Sequence, residues 1–199
     1  RDSPGVLGPR RKGCGMDWTA AVDNYCERLG PGFWAEPINA LTNAAFLIAA
    51  IAVWPHTREI GRVLAAILFA IGGGSFLFHT FAQPWAAVAD VLPILLYILV
   101  YIFAANRDFW GMGPWAAAGA TALFLPYAAA TGWAFSQLAW LGGSAGYAPV
   151  ALLIYLYAIA LARRAPATAR GLAIGATILV VSLTFRTLDE PLCDAIPLG

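Results

Sequence analysis

Gly72-Gly73-Gly74-Ser75-Phe76-Leu77-Phe78-His79-Thr80 closes an apolar run, Ile60 to Phe81, that is long enough to cross a bilayer as a helix. Asp90 follows eleven residues after His79, and from it the chain enters a second run of membrane length through Val91-Leu92-Pro93-Ile94-Leu95-Leu96-Tyr97-Ile98-Leu99-Val100. Ser75 and His79 stand four apart and so share one face of a helix. The connection Ala82-Gln83-Pro84-Trp85 is short enough to return Asp90 to the depth of that face. Serine, histidine and aspartate are therefore expected to converge within the membrane, where an ionisable side chain is costly and marks function by default. Taken alone, His79 reads equally well as a satisfied packing residue; the three together point to a site.

Composition sets the class. Of 199 residues, 60% are hydrophobic and only 12% charged, with a mean hydropathy of +0.70, values that exclude an ordinary soluble domain. A net charge of +1 without a basic stripe excludes nucleic acid as a partner. The alanine-rich bias suits close helix packing in lipid, and no internal repeat is visible.

Six apolar runs of membrane length fall near residues 37–55, 60–81, 85–105, 113–133, 146–162 and 168–184. Turn-forming or charged stretches separate them: Pro55-His56-Thr57-Arg58-Glu59, Gln83-Pro84, Asn106-Arg107-Asp108, Gly142-Gly143-Ser144 and Arg163-Arg164-Ala165-Pro166. Alternation of period two is absent, so barrel strands are not expected. The predicted fold class is all-α, a polytopic transmembrane helical bundle with six spans. Residues 16–36 form an extramembrane N-terminal segment, 37–184 the bundle and 185–199 a second extramembrane segment.

Loop charge predicts the orientation. Arg58, Arg62, Arg107, Arg163, Arg164 and Arg170 belong to the first, third and fifth connections, whereas the second and fourth carry no basic residue and only Arg186 follows the sixth span. The positive-inside rule places the odd connections in the cytoplasm and the N-terminus outside, in the periplasm or a lumen. Arg1, Arg10, Arg11 and Lys12 conflict with this unless translation starts at Met16, which would make residues 1–15 a disordered extension. Those residues lack the apolar core of a secretory signal. Cys26 and Cys193 then lie on one outer face, where an oxidising compartment favours a disulfide; two unrelated buried thiols is the alternative.

A second constellation precedes the first span, in Asp23-Asn24-Tyr25-Cys26-Glu27-Arg28-Leu29-Gly30-Pro31-Gly32-Phe33-Trp34-Ala35-Glu36-Pro37-Ile38-Asn39. Asp23, Glu27 and Glu36 are hard oxygen donors of the kind calcium takes, although the spacing is not that of an EF-hand. Phe33 and Trp34 are of the type that anchors at the interface. The plainer alternative leaves Glu27 and Glu36 as solvated caps of the first helix.

Cys26-Glu27, then Trp34-Ala35-Glu36-Pro37-Ile38-Asn39-Ala40-Leu41-Thr42-Asn43, Gly74 to Thr80, Asp90-Val91-Leu92-Pro93 and Arg186-Thr187-Leu188-Asp189 with Cys193 resemble, in order, the alkaline ceramidases in their bacterial form. These belong to the CREST superfamily of seven-span membrane hydrolases, which also includes the progestin and adipoQ receptors. The resemblance implies a bacterial inner-membrane location and a catalytic zinc with His79 as a ligand, Ser75 and Asp90 beside it. It also implies a calcium site built from Asp23, Glu27, Glu36 and Asn39, and a Cys26–Cys193 disulfide. Two further zinc-binding histidines would lie as His-x-x-x-His on a seventh helix beyond Gly199. The remaining histidine, His56, belongs to the first connection, about 30 Å away across the bilayer. A catalytic zinc usually takes three protein ligands, so the chain is expected to be truncated and to hold an incomplete set.

The implied reaction is zinc-assisted hydrolysis of the amide of a ceramide-like membrane lipid to a fatty acid and a sphingoid amine, with Asp90 moving protons and Ser75 stabilising the oxyanion. A Ser75-His79-Asp90 triad is the weaker reading, because an i, i+4 pair on a helix suits a metal site better. The alternative function is a receptor or regulator like the adipoQ receptors, with a structural zinc core; Trp34-Ala35-Glu36-Pro37 resembles the ceramidase branch instead. A transporter fits less well, since no inverted repeat or pair of broken helices is apparent.

Overall fold

A computed structural model describes residues 17–195. The extension at 1–15, the start at Met16 and the final four residues lie outside that range. Among the described residues the regular structure is entirely helical, in keeping with a helical membrane bundle. The first crossing is α1 (Pro37–Thr42) and α2 (Ala44–Val53), prolonged by a 3-10 turn at Trp54–His56. It is followed by α3 (Ile60–Phe81), α4 (Pro84–Asp108), α5 (Pro114–Ala122), α6 (Phe124–Ser136), α7 (Ala148–Leu161) and α8 (Pro166–Leu192). Proline stands in the first or second position of α1, α4, α5, α7 and α8, where its missing N–H would be unpaired anyway.

Two helices break for identifiable reasons. The Asn43 side chain donates to the Asn39 carbonyl at 2.7 Å, competing with the backbone ladder between α1 and α2. Pro126 cannot donate to the Ala122 carbonyl, and the helix is interrupted there, at Leu123 between α5 and α6. These details correct the simple picture of six uniform spans. Four helical stretches are long and apolar enough to cross a membrane unaided: Pro37–His56, Ile60–Phe81, Pro84–Asp108 and Pro166–Asp189. The run at 113–133 is divided between α5 and α6. The 14 residues of α7 span about 21 Å, less than a hydrocarbon core of about 30 Å.

The connections still alternate between two ends. At one end Arg164 lies over the Trp110 ring, and Phe109 and Trp110 pack on a core of Ala158, Leu161, Ala169 and Leu172. At the other end the N-terminal segment meets the exits of α3 and α8. Val22 N–H donates to the Ala82 carbonyl at 2.8 Å, and a disulfide joins Cys26 to Cys193 with their Cα atoms 5.4 Å apart. Cys26 N–H also donates to Asp189 Oδ2 at 3.1 Å, and Thr187 donates to Ser144 Oγ at 2.9 Å, so the fourth connection belongs to this end. The described N-terminal segment and the end of α8 thus share one face of the bundle. Large apolar side chains such as Trp115, Ile159 and Phe185 remain exposed on the outside of the bundle, as a lipid solvent permits.

The close crossing of α3 and α4 positions the polar residues. A Cβ at Gly74 would overlap the Ala89 carbonyl group, reaching 2.8 Å from its carbon and 3.2 Å from the Asp90 Cα. Pro93, inside α4, has no N–H to donate to that same Ala89 carbonyl. The pairing of a glycine on one helix with an undonated carbonyl on the other brings the backbones together where Ser75 and Asp90 emerge.

Candidate functional site

Ser75 and His79 are buried on α3, one turn apart. Asp90 lies on α4 about 9 Å in from its start at Pro84. The Ser75 hydroxyl lies beside the Asp90 carboxyl, with the His79 ring and the Arg186 guanidinium nearby. Asp90 Oδ1 is buried and has no hydrogen-bond partner among the described residues. A buried carboxylate oxygen left unpaired costs free energy, which makes it the kind of group expected to await a proton, a ligand or water. The three residues read from the sequence are therefore brought together near the end of the bundle that carries the disulfide.

His79 is held from several sides. Its Nδ1 is 2.5 Å from Glu36 Oε2, its ring centroid lies 4.9 Å from that of Tyr25 and 5.5 Å from that of Phe78, and its carbonyl accepts from Arg28 at 3.1 Å. Arg28 also pairs through Nε with Glu36 Oε1. Arg186 donates to the Tyr25 hydroxyl and lies 5.3 Å and 5.4 Å from the Tyr25 and Tyr147 ring centroids. Tyr25 is outside the helices; burial pushes its phenol up from the ordinary value, opposed by Arg186.

The acidic N-terminal residues have other partners than one another. Glu27 accepts from the amides of Ile38 at 2.5 Å and Asn39 at 2.9 Å, capping α1 with both oxygens, but it is buried rather than solvated. Glu36 is likewise buried, between Arg28 and His79, while Asp23 is exposed. Asn39 is half-buried, with its carbonyl engaged by Asn43. This donor set does not fit a calcium ion as it stands: four carboxylate oxygens are committed, and a guanidinium sits against one of them.

For zinc the fit is partial. His79 has Nδ1 engaged by a carboxylate and Nε2 without a partner among the described residues, which is how a metal-bound imidazole is usually held. The orphaned Asp90 oxygen supplies a neighbouring acceptor. Among the described residues no group of three or more His, Cys, Asp and Glu side chains is placed to hold a metal ion, and His56 is exposed beside the first connection, at the opposite end.

Arg28 and Tyr147 stand in this cluster without a role in the sequence reading, and Tyr25 enters it through its side chain rather than its carbonyl. A signal was available for part of this cluster: Arg186 is the single basic residue beyond the sixth span, on the face where the charge rule leaves arginine unexplained.

A family model described as Ceramidase matches residues 19–198. No curated protein and no solved structure matches the chain. With the match covering most of its length, the chain belongs to the ceramidase family.

Proposed function

From its place in the ceramidase family we propose that this chain is a membrane-embedded, zinc-dependent amidase that cleaves ceramide-like N-acyl lipids to a fatty acid and a sphingoid amine. The observation that carries the reading is the convergence of Ser75, His79 and Asp90, with Asp90 Oδ1 buried and unpartnered. Hydrolysis forms a bond from water oxygen to the acyl carbon and breaks the bond to nitrogen. Asp90 accepts the proton that water gives up and delivers one to the departing amine. Ser75 donates a hydrogen bond to the oxyanion that develops on the acyl oxygen. His79 Nε2 is the atom that would hold zinc, Nδ1 being engaged by Glu36. Zinc, when bound, polarises the acyl carbonyl and brings the pKa of a water toward about 7.

The arginine-bearing end faces the cytoplasm in this proposal, and the site opens toward the periplasm or lumen. The test combines metal analysis with turnover of a short-chain ceramide in mixed micelles, on protein expressed from its own gene with whatever follows Gly199. His79→Ala is expected to lose both zinc and hydrolysis. Full hydrolysis by that variant would overturn the zinc mechanism, and absence of ceramide turnover by a zinc-loaded wild type would overturn the substrate class.

A further inference from the structure

Glu36 lies in the segment outside the bundle, yet it is only 2% exposed and both its carboxylate oxygens are used inward. One oxygen takes the Arg28 Nε–H; the other faces His79 Nδ1 at 2.5 Å. Arg28 in turn donates to the Gly30 carbonyl at 3.3 Å and to the His79 carbonyl at 3.1 Å. The carboxylate and the guanidinium thus close on one residue, one at its ring and the other at its backbone. A buried ion pair is poor evidence of added stability, since desolvating two charges offsets most of their attraction. Its arrangement around a single imidazole calls for a different explanation.

We propose that Glu36, held in place by Arg28, is a positioning residue for His79: by accepting a hydrogen bond from Nδ1–H it selects the tautomer that leaves Nε2 unprotonated. This rests on the reading of His79 given above. The two ring nitrogens of a neutral histidine are not equivalent, and which one carries the proton is set by the hydrogen bond that the other makes. An acceptor-only carboxylate at Nδ1 admits one tautomer alone. Tyr25 and Phe78 flank the ring at 4.9 Å and 5.5 Å, so it cannot turn away without displacing aromatic neighbours. The N-terminal segment is thereby made part of the site, pinned over the end of α3 by the Cys26–Cys193 bond.

Nitrogen NMR of protein labelled at histidine reads the ring once the His79 signal is assigned by its loss in His79→Gln, and the exposed His56 serves as the reference. In wild type, His79 is expected to carry its proton on Nδ1 whether or not a metal occupies Nε2. The double variant Arg28→Met/Glu36→Leu removes both buried charges together, an exchange that is often neutral for stability. In it the Nε2–H form should appear and kcat should fall about 10- to 100-fold with KM little changed. Formation of the Cys26–Cys193 disulfide, read by mass, reports that the segment still docks. An Nε2–H proton on wild-type His79, or a docked double variant with unchanged tautomer and kcat, would overturn the inference. If the double variant does not fold, the wild-type tautomer decides alone. Activity surviving in His79→Ala would instead remove the proposed function and leave the tautomer result standing.

Discussion

Gly74 on α3 abuts the carbonyl of Ala89 on α4, the carbonyl that Pro93 leaves without its helical donor. A methyl group there has no flexible neighbour to displace, because the atoms it meets are backbone. Gly74→Ala is therefore expected to destabilise the protein by about 1 to 3 kcal/mol and to move Ser75 away from Asp90, lowering kcat. Gly73, one residue earlier, has open space where a Cβ would go. Gly73→Ala should be neutral or slightly stabilising. Thermal unfolding in detergent followed in parallel with turnover checks the pair; equal behaviour of the two variants would contradict the close crossing.

The Cys26–Cys193 bond closes a chain separation of 167 residues. For a loop of that size the chain-entropy relation gives about 5 kcal/mol. That is an upper figure, since unfolded helices that remain in a bilayer are already confined. Cys26→Ser/Cys193→Ser is expected to lower the thermal midpoint and, more specifically, to expose the peptide between Tyr25 and Glu36 to protease before the helices unfold. Unchanged proteolysis of that segment would show that the buried Arg28 and Glu36 contacts suffice to hold it.

A calcium ion at Glu36 would have to compete with Arg28 for the carboxylate. Glu36 Oε1 is paired with the guanidinium and Glu27 is committed to the α1 amides, so a divalent cation must displace partners before it can bind. Removing the guanidinium leaves a buried carboxylate uncompensated, which is destabilising by about 3 to 5 kcal/mol but also frees an oxygen ligand. Arg28→Ala is accordingly expected to gain more thermal stability from added calcium than wild type does. Midpoints measured with calcium and with a chelator, on both proteins, give the comparison; a larger calcium effect in wild type would mean that the carboxylates rearrange around the ion with Arg28 present.

The bundle was legible because lipid imposes a simple rule, long apolar runs separated by polar turns, and the runs at 37–55, 60–81, 85–105 and 168–184 obey it. The other two are less regular for local reasons: Pro126 interrupts the run at 113–133, and α7 is short by a turn or more. Ser75 and His79 could be paired from their spacing, and Asp90 from the short link. That link works because Ala82 ends α3 in the left-handed region at φ 44°, turning the chain back at once. What could not be read is which partner each N-terminal carboxylate takes. Glu36 lies 8 residues from Arg28 and 43 from His79, and only tertiary packing chooses between them and an ion. Glu36 is joined to Arg28 and His79 and Glu27 to the α1 amides, whereas Asp23 is exposed.

The two ends of the bundle differ in charge, and this predicts their sides of the membrane. Arg58, Arg107, Arg163 and Arg164 sit at one end, while the disulfide and Arg186 sit at the other. Single cysteines introduced at Gly111 and Ala165 are expected to be shielded from an impermeant thiol reagent in intact cells, and one at Gly32 to react. Labelling of the first two from outside would invert the orientation and place the site on the cytoplasmic face.

Asp90 is the residue at which stability and activity should part. Its Oδ1 is buried without a partner, so the folded state carries a desolvation cost that a smaller apolar side chain would not. Asp90→Ala is expected to raise the thermal midpoint, by an amount corresponding to about 1 kcal/mol, and to abolish lipid-amide hydrolysis. Asp90→Asn keeps the shape, cannot take up the proton of water, and should lower kcat about 10²- to 10⁴-fold with zinc content unchanged. A structural aspartate behaves in the opposite way: its removal lowers the midpoint, and activity falls only as far as folding does. A less stable Asp90→Ala protein with kcat preserved in its folded fraction would therefore take Asp90 out of the chemistry and leave it as a packing residue of the α3–α4 crossing.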